Sequence, residues 1–188
     1  ERGNTVTFSG RAIHGEEPKY LHGRNTEIFM KSNHLYNFNI AKNYAYNDKI
    51  YVVEGFMDVA GGNKMNIRNI VATMGTSFSE EQIAMLRRLD CEIILMRDND
   101  KAGRNAMVKE IPELMSKKLK VSVVDLNTVK ENLQLAEDKD SKDLWDFANA
   151  GAVEQDLEKA RVSGFQYLMK NQYFLGKDFN TETIRDAY

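Results

Sequence analysis

The stretch Ile50-Tyr51-Val52-Val53-Glu54-Gly55 decides the fold, and Ile93-Ile94-Leu95-Met96-Arg97-Asp98-Asn99-Asp100 answers it further along the chain. Each is a short apolar run, rich in Ile or Val, that ends in acid. Runs of this kind, bounded by turn residues, predict strands buried on both faces of a parallel sheet. In an open α/β sheet, ligands gather outside the carboxyl ends of the strands. Glu54, Asp98 and Asp100 are therefore expected in one crevice. Two unit charges about 4 Å apart repel by roughly 4 kcal/mol at an effective dielectric near 20. A hard divalent cation offsets that repulsion, and Mg²⁺ takes oxygen ligands of this type, usually a few carboxylates with substrate phosphates.

Working outward, Ile70–Met74 predicts a second parallel strand closed by Gly75, and residues 121–126 a fourth after the strand at 93–97. Short helices are expected at 57–63 and 79–89. The second opens on Ser79-Glu80-Glu81-Gln82, a capping-box pattern. A longer helix is expected over 102–119, with Pro112 inside it as a candidate kink. Strands alternating with helices at this spacing imply βαβ units. In front, residues 4–13 alternate like a strand, 14–33 read as loop, and 35–46 carry a helical stripe. Behind, 127–142 are polar without a strand signal, 143–150 and 152–173 read as helices around Gly151, and a last helix starts near 181–184.

Composition bounds the function. The chain has 188 residues, 42% of them apolar, enough for one sizeable domain with an appendage. No apolar run reaches the length of a membrane span and no signal-peptide pattern opens the chain. Cys91 is the single cysteine, which excludes a disulfide framework and a cysteine-rich zinc site, and implies a reducing, cytoplasmic setting. Net charge is −2, but residues 1–50 carry seven Lys/Arg against five acids and residues 125–188 carry eight against thirteen. A basic front and an acidic rear suit the orientation of a polyanion. The chain opens at Glu1 instead of a methionine, so it reads as a piece of something longer.

Asp100-Lys101-Ala102-Gly103 fits a turn into a helix whose N-terminus favours phosphate. Asp58 is either an acid supporting the crevice from behind or an early-turn acid serving the helix dipole. The motifs Glu54-Gly55-Phe56-Met57-Asp58-Val59, Ala72-Thr73-Met74-Gly75-Thr76-Ser77 and Asp98-Asn99-Asp100-Lys101-Ala102-Gly103 together resemble the Toprim core of bacterial DnaG-type primases. Topoisomerases and some nucleases share that folding unit. The upstream segments Arg2-Gly3, Phe8-Ser9-Gly10-Arg11, Pro18-Lys19-Tyr20-Leu21, Phe29-Met30-Lys31 and Leu35-Tyr36 follow the primase pattern in order. The resemblance covers about residues 1–150.

The resemblance implies an α/β fold: a Toprim-type parallel sheet flanked by helices, with a small mixed N-terminal segment and a C-terminal helical subdomain. Residues 1–46 would belong to the N-terminal subdomain of a primase core, 47–126 to the Toprim domain and 127–188 to an acidic loop and helical subdomain. The implied activity is DNA-directed RNA polymerase chemistry: nucleotidyl transfer from ribonucleoside triphosphates into short primers on single-stranded DNA template. Its cofactor would be Mg²⁺ or Mn²⁺, with no zinc in this segment. Glu54, Asp98 and Asp100 would be catalytic and, with Asp140, hold metal. Arg11, Lys19, Lys31 and Phe56 would contact nucleotide or template, with Asp58 and Lys142 around them.

Departures are visible. In Asp140-Ser141-Lys142-Asp143-Leu144, Lys142 stands where the family has an acid. Arg97 stands where it usually has an aromatic, and His22 where it favours Asn. Family members also carry a zinc-binding module and a helicase-binding module, through which a replicative helicase would be met. The alternatives are another Toprim enzyme, a nuclease or topoisomerase, and a non-catalytic nucleotide- or single-strand-binding module.

Overall fold

The computed structural model describes residues 4–14, 17, 20–46, 48–75, 77–135 and 143–171. Five strands form one sheet in the order β4-β3-β5-β6-β7. They are β3 (Lys49–Val53), β4 (Ile70–Ala72), β5 (Glu92–Leu95), β6 (Val121–Val124) and β7 (Arg161–Ser163). The first four are parallel, and β7 runs antiparallel on the β6 edge.

Strand alternation explains the two apolar layers. Ile50 and Val52 of β3, Ile93 and Leu95 of β5, and Val121 and Val123 of β6 face one layer. That layer is closed by α1 (Phe38–Ala45), α3 (Glu80–Arg87), α4 (Lys101–Ser116) and α8 (Gly164–Lys170). Tyr51, Val53, Ile94 and Val124 face the other, under α2 (Phe56–Lys64), α5 (Leu126–Asn132), α6 (Leu144–Asn149) and α7 (Glu154–Lys159). Both faces are covered, which is why these strands read as continuous apolar runs instead of alternating ones.

Helix starts follow their caps. Ser79 Oγ accepts from Gln82 N at 3.1 Å and Gln82 Oε1 accepts from Ser79 N at 3.1 Å, the reciprocal pair expected from the sequence. Helix α4 runs through Pro112 without ending.

Four expectations are corrected. The front strand is only β1 (Ser9–Arg11), and the stretch expected as loop holds its antiparallel partner β2 (Tyr20–His22) and a 3-10 turn at Lys31–Asn33. The strand expected over Ile70–Met74 stops at Ala72, because Met74 adopts φ 59° and turns the chain. The polar stretch after β6 begins with α5, capped by Asp125 and anchored by buried Leu126 and Val129. The single helix expected over 152–173 is not formed in its described part, 152–171: α7, β7 and α8 follow each other instead. The open β6 edge supplies the competing hydrogen bonds, and the Ser163 hydroxyl restarts the helix by accepting from Gln166 N. The helix expected near 181–184 lies outside the described residues. Among the described residues, no helix is long and apolar enough to cross a membrane.

Candidate metal centre and nucleic-acid interface

The carboxyl end of β3 turns almost directly into α2, that of β5 reaches α4 through residues 96–100, and those two corners carry the acids. At the first corner Glu54 follows β3, and its carbonyl accepts from Met74 N at 2.9 Å, tying the ends of β3 and β4 together. Gly55 N donates to Asp58 Oδ2 at 2.9 Å, a side-chain cap on α2. The other Asp58 oxygen accepts from Leu144 N at 3.1 Å, the first residue of α6. Asp58 thus holds the starts of two helices at once. The crossing is tight: a Cβ on Gly61 of α2 would stand 2.8 Å from Trp145 Cα.

At the second corner Asp100 N donates to Asp98 O at 2.8 Å, and Asp100 Oδ1 accepts from Gly103 N at 2.8 Å. Asp100 is therefore the N-cap of α4. Gly103 is required here, because a Cβ would lie 2.1 Å from Asp98 O.

The acids share one electrostatic field. Burial, then the charges of Glu54, Asp58, Asp143 and Asp100, push the Asp98 carboxyl up to about 7. Burial and the charges of Asp143 and Glu54 push Asp58 up to about 6, against the hydrogen bonds from Gly55 and Leu144 that lower it. Asp143 is the acid that sequence reading missed. It caps α6, accepting from Asp146 N at 2.9 Å. The signal was present: an Asp immediately before Leu144, Phe147 and Ala148, with an acid three residues on, is an N-terminal helix signature. Asp140, assigned as the further metal ligand, and Lys142 lie outside the described residues.

Among the described residues, no three acids or histidines converge closely enough to hold an ion as they stand. The donor set nevertheless fits a hard divalent cation. It consists of carboxylate oxygens, with the Asp98 carboxyl raised by burial and then by its neighbours' charge, and Mg²⁺ commonly takes one or two carboxylates and completes its shell with water and phosphate. Cys91 offers no competing ligand: it stands at the opposite end of β5, and burial pushes its thiol up to about 11.

The front segment docks beside the first corner. The Phe56 ring meets Tyr36 edge-on at 4.7 Å and His22 at 5.5 Å, while His22 Nδ1 lies 3.1 Å from Ser9 Oγ. Tyr36 pairs with Ala72 and extends the β4 edge. Lys31 reaches the same corner, since a Cβ on Gly75 would stand 3.5 Å from its Nζ. Arg11 lies on exposed β1 opposite Tyr20, two residues farther along the ribbon than the His22 that meets Phe56. Lys19 lies outside the described residues. Tyr36 and His22 were not selected from sequence as site residues, because nothing local signals that they flank Phe56.

A mostly parallel sheet with acid corners at the ends of β3 and β5 defines a Toprim protein, and the Toprim domain family matches residues 48–125. The family described as DNA primase catalytic core, N-terminal domain, matches residues 1–42. The chain belongs to the bacterial DnaG-type primase family, within its catalytic core. The DNA primase of Staphylococcus aureus (strain COL) is 43% identical over 126 residues, which are 66% of this chain and 21% of that protein. The chain thus matches about a fifth of the length of such relatives. A DNA primase domain from Pseudomonas aeruginosa superposes with a TM-score of 0.76 at 27% identity, over 99% of this chain and 56% of that one. A DnaG primase catalytic domain bound to single-stranded DNA gives 0.68 at 27% identity, over 90% and 52%.

Proposed function

We propose that this chain is part of the catalytic core of a DNA primase, a transferase that builds short RNA primers on single-stranded DNA by nucleotidyl transfer. The observation that carries the reading is the pair of acid corners, Glu54 after β3 and Asp98–Asp100 between β5 and α4, within a chain that matches the Toprim and primase-core families. Glu54, Asp98 and Asp100 are the residues that would hold Mg²⁺ or Mn²⁺, with Asp143 beside them and Asp140 as a further candidate. A bound divalent cation supplies activation of the attacking 3′-hydroxyl and neutralisation of the leaving pyrophosphate.

The chain's own residues do the positioning. Asp58 holds the α2 and α6 starts together, so that Glu54 and Asp143 keep one spacing. The α4 N-terminus directs backbone N–H groups and a positive dipole end toward the crevice, favourable for a triphosphate. Lys31, Lys19 and Arg11 neutralise phosphates of template or nucleotide, and Lys142 meets a triphosphate from its loop. Phe56, with Tyr36 and His22 against it, offers an aromatic face on which a base can stack, worth about 1–3 kcal/mol per base. Single-stranded DNA, present in one structural relative, is the template, and ribonucleoside triphosphates are the substrates. A replicative helicase would be met through a module outside this chain, at the replication fork in the bacterial cytoplasm.

The test is calorimetric titration of Mn²⁺ into wild type and Asp98→Asn. Wild type binds, and Asp98→Asn binds at least tenfold more weakly. Equal binding by the two proteins removes Asp98 from the metal set.

A further inference from the structure

A buried ion pair lies directly behind the second acid corner. Arg97, the residue before Asp98, has no exposed side-chain surface, and Glu110 of α4 has 3%. Arg97 Nε donates to Glu110 Oε2 at 2.9 Å and Nη2 donates to Oε1 at 2.8 Å, two parallel hydrogen bonds. Nη1 donates to Thr73 Oγ1 at 3.3 Å, and the guanidinium lies 5.5 Å from the Phe78 ring centroid. Thr73 is itself fixed: its hydroxyl donates to Gly75 O at 2.7 Å, its N–H donates to Val53 O at 3.1 Å, and its carbonyl accepts from Gln82 Nε2 at 3.2 Å. One side chain therefore joins the ends of β3, β4 and β5 to the third turn of α4.

Stability does not account for such a pair. Removing two charges from water costs as much as their attraction returns, and apolar residues of similar volume in their place are often neutral or stabilising. What the planar fork supplies is direction, because a bidentate guanidinium–carboxylate contact fixes rotation as well as distance. Glu110 also feels the charge of Glu54, which links the pair to the first acid corner.

We infer that Arg97 and Glu110 are positioning residues: their buried fork locks the Asp98–Asp100 turn and α4 in one orientation against the Glu54 corner, and thereby sets the spacing of the carboxylates that take the cation. The inference rests on the metal-site reading above. Residues that orient ligands from behind typically contribute 10–100-fold in metal affinity.

The experiment compares the 188-residue chain with Arg97→Met/Glu110→Leu, which removes both charges at similar volume, and with Arg97→Lys, which keeps the charge and loses the fork. Three quantities are read: the thermal midpoint, Mn²⁺ affinity by calorimetry with the bound-Mn²⁺ paramagnetic resonance spectrum, and metal-free amide exchange at Asp100, Gly103 and Arg104. The double variant is expected to melt at or above the wild-type temperature, bind Mn²⁺ 10–100-fold more weakly with a broadened spectrum, and exchange those amides at least tenfold faster. Arg97→Lys is expected to match it in affinity and exchange, showing that geometry matters and not charge alone. Wild-type affinity and exchange in both variants would overturn the inference. Should the double variant not fold, Arg97→Lys decides by the same two readings. Should wild type itself not bind Mn²⁺, the metal reading fails, while the metal-free exchange still decides whether the fork holds the turn.

Discussion

Val52, Ile94 and Leu95 in the sheet have no exposed surface, whereas Phe8, Ile13 and Leu21 in the front ribbon are 83%, 86% and 69% exposed. The sheet is covered on both faces and holds its acids at corners fixed by backbone hydrogen bonds. The described residues of the β1–β2 ribbon have no such core, although Leu35, Ala41 and Ala45 behind it sink into the sheet's first layer. The front segment is also attached through particular contacts: the Tyr36–Ala72 bridge, Gln82 Nε2 donating to His34 O at 2.8 Å, Ser79 Oγ donating to Ser32 O, and the Phe56 ring against Tyr36 and His22. The difference teaches a division of labour. The part that sets carboxylate spacing is rigid by packing, while the ribbon that presents cations and aromatic rings adds polar and aromatic contacts that single substitutions can release.

The sharpest way to break the contrast is Gly103→Ala. The new Cβ would fall 2.1 Å from Asp98 O, so the corner must move. A loss of about 3 kcal/mol is expected in urea unfolding, typical of overpacking against fixed backbone. A loss of a few tenths would mean that the corner is soft and the sheet half less rigid than its burial implies.

Gln82→Ala attacks the joint between the halves. Gln82 closes the α3 capping box and donates to His34 O and Thr73 O. Its removal is expected to cost about 1–3 kcal/mol. Amide exchange should accelerate over residues 29–37 while β3 and β5 stay protected. Uniform acceleration across both regions would show that the two halves unfold as one unit.

At the end of the sheet away from the acids, Lys49 Nζ lies 2.7 Å from Glu158 Oε1, and the Tyr51 hydroxyl donates to the same oxygen. Burial raises the Glu158 carboxyl, but these hydrogen bonds outweigh it and hold it below its ordinary value. The folded state therefore binds this proton less tightly than the unfolded chain does. The contribution is fully present above the ordinary Glu value near 4.5 and is lost as pH falls through the lower folded value. Glu158→Gln should flatten the acid limb of stability against pH, and no change in that limb would remove the group from the balance.

The smallest expected effect is in the front segment. Lys31→Ala should leave the melting temperature within about 2 °C of wild type, as for a half-exposed surface residue. It should weaken single-stranded DNA binding in fluorescence anisotropy and reduce the slope of log affinity against log salt by about 0.7, the value for one lost phosphate contact. An unchanged slope with unchanged affinity would confine Lys31 to packing on the Gly75 turn.

The sequence by itself determined the parallel strands, the capping box at Ser79, and the acids Glu54, Asp98 and Asp100 at their ends. Strands buried on both faces announce themselves within five residues, and a carboxylate at a strand end needs no distant partner to be placed. Only the tertiary structure decided β2, β7 and α5, since two of these are strands of three residues, too short for a periodic signal, and the third lies in a polar stretch. It also decided that the Asp143 charge acts on Asp98 and Asp58, that Asp58 caps two helices, and that Arg97 is buried against Glu110. An arginine before an acid looks like a surface charge until the fold delivers a carboxylate from the next helix, because its ionic partner is supplied by packing and not by spacing.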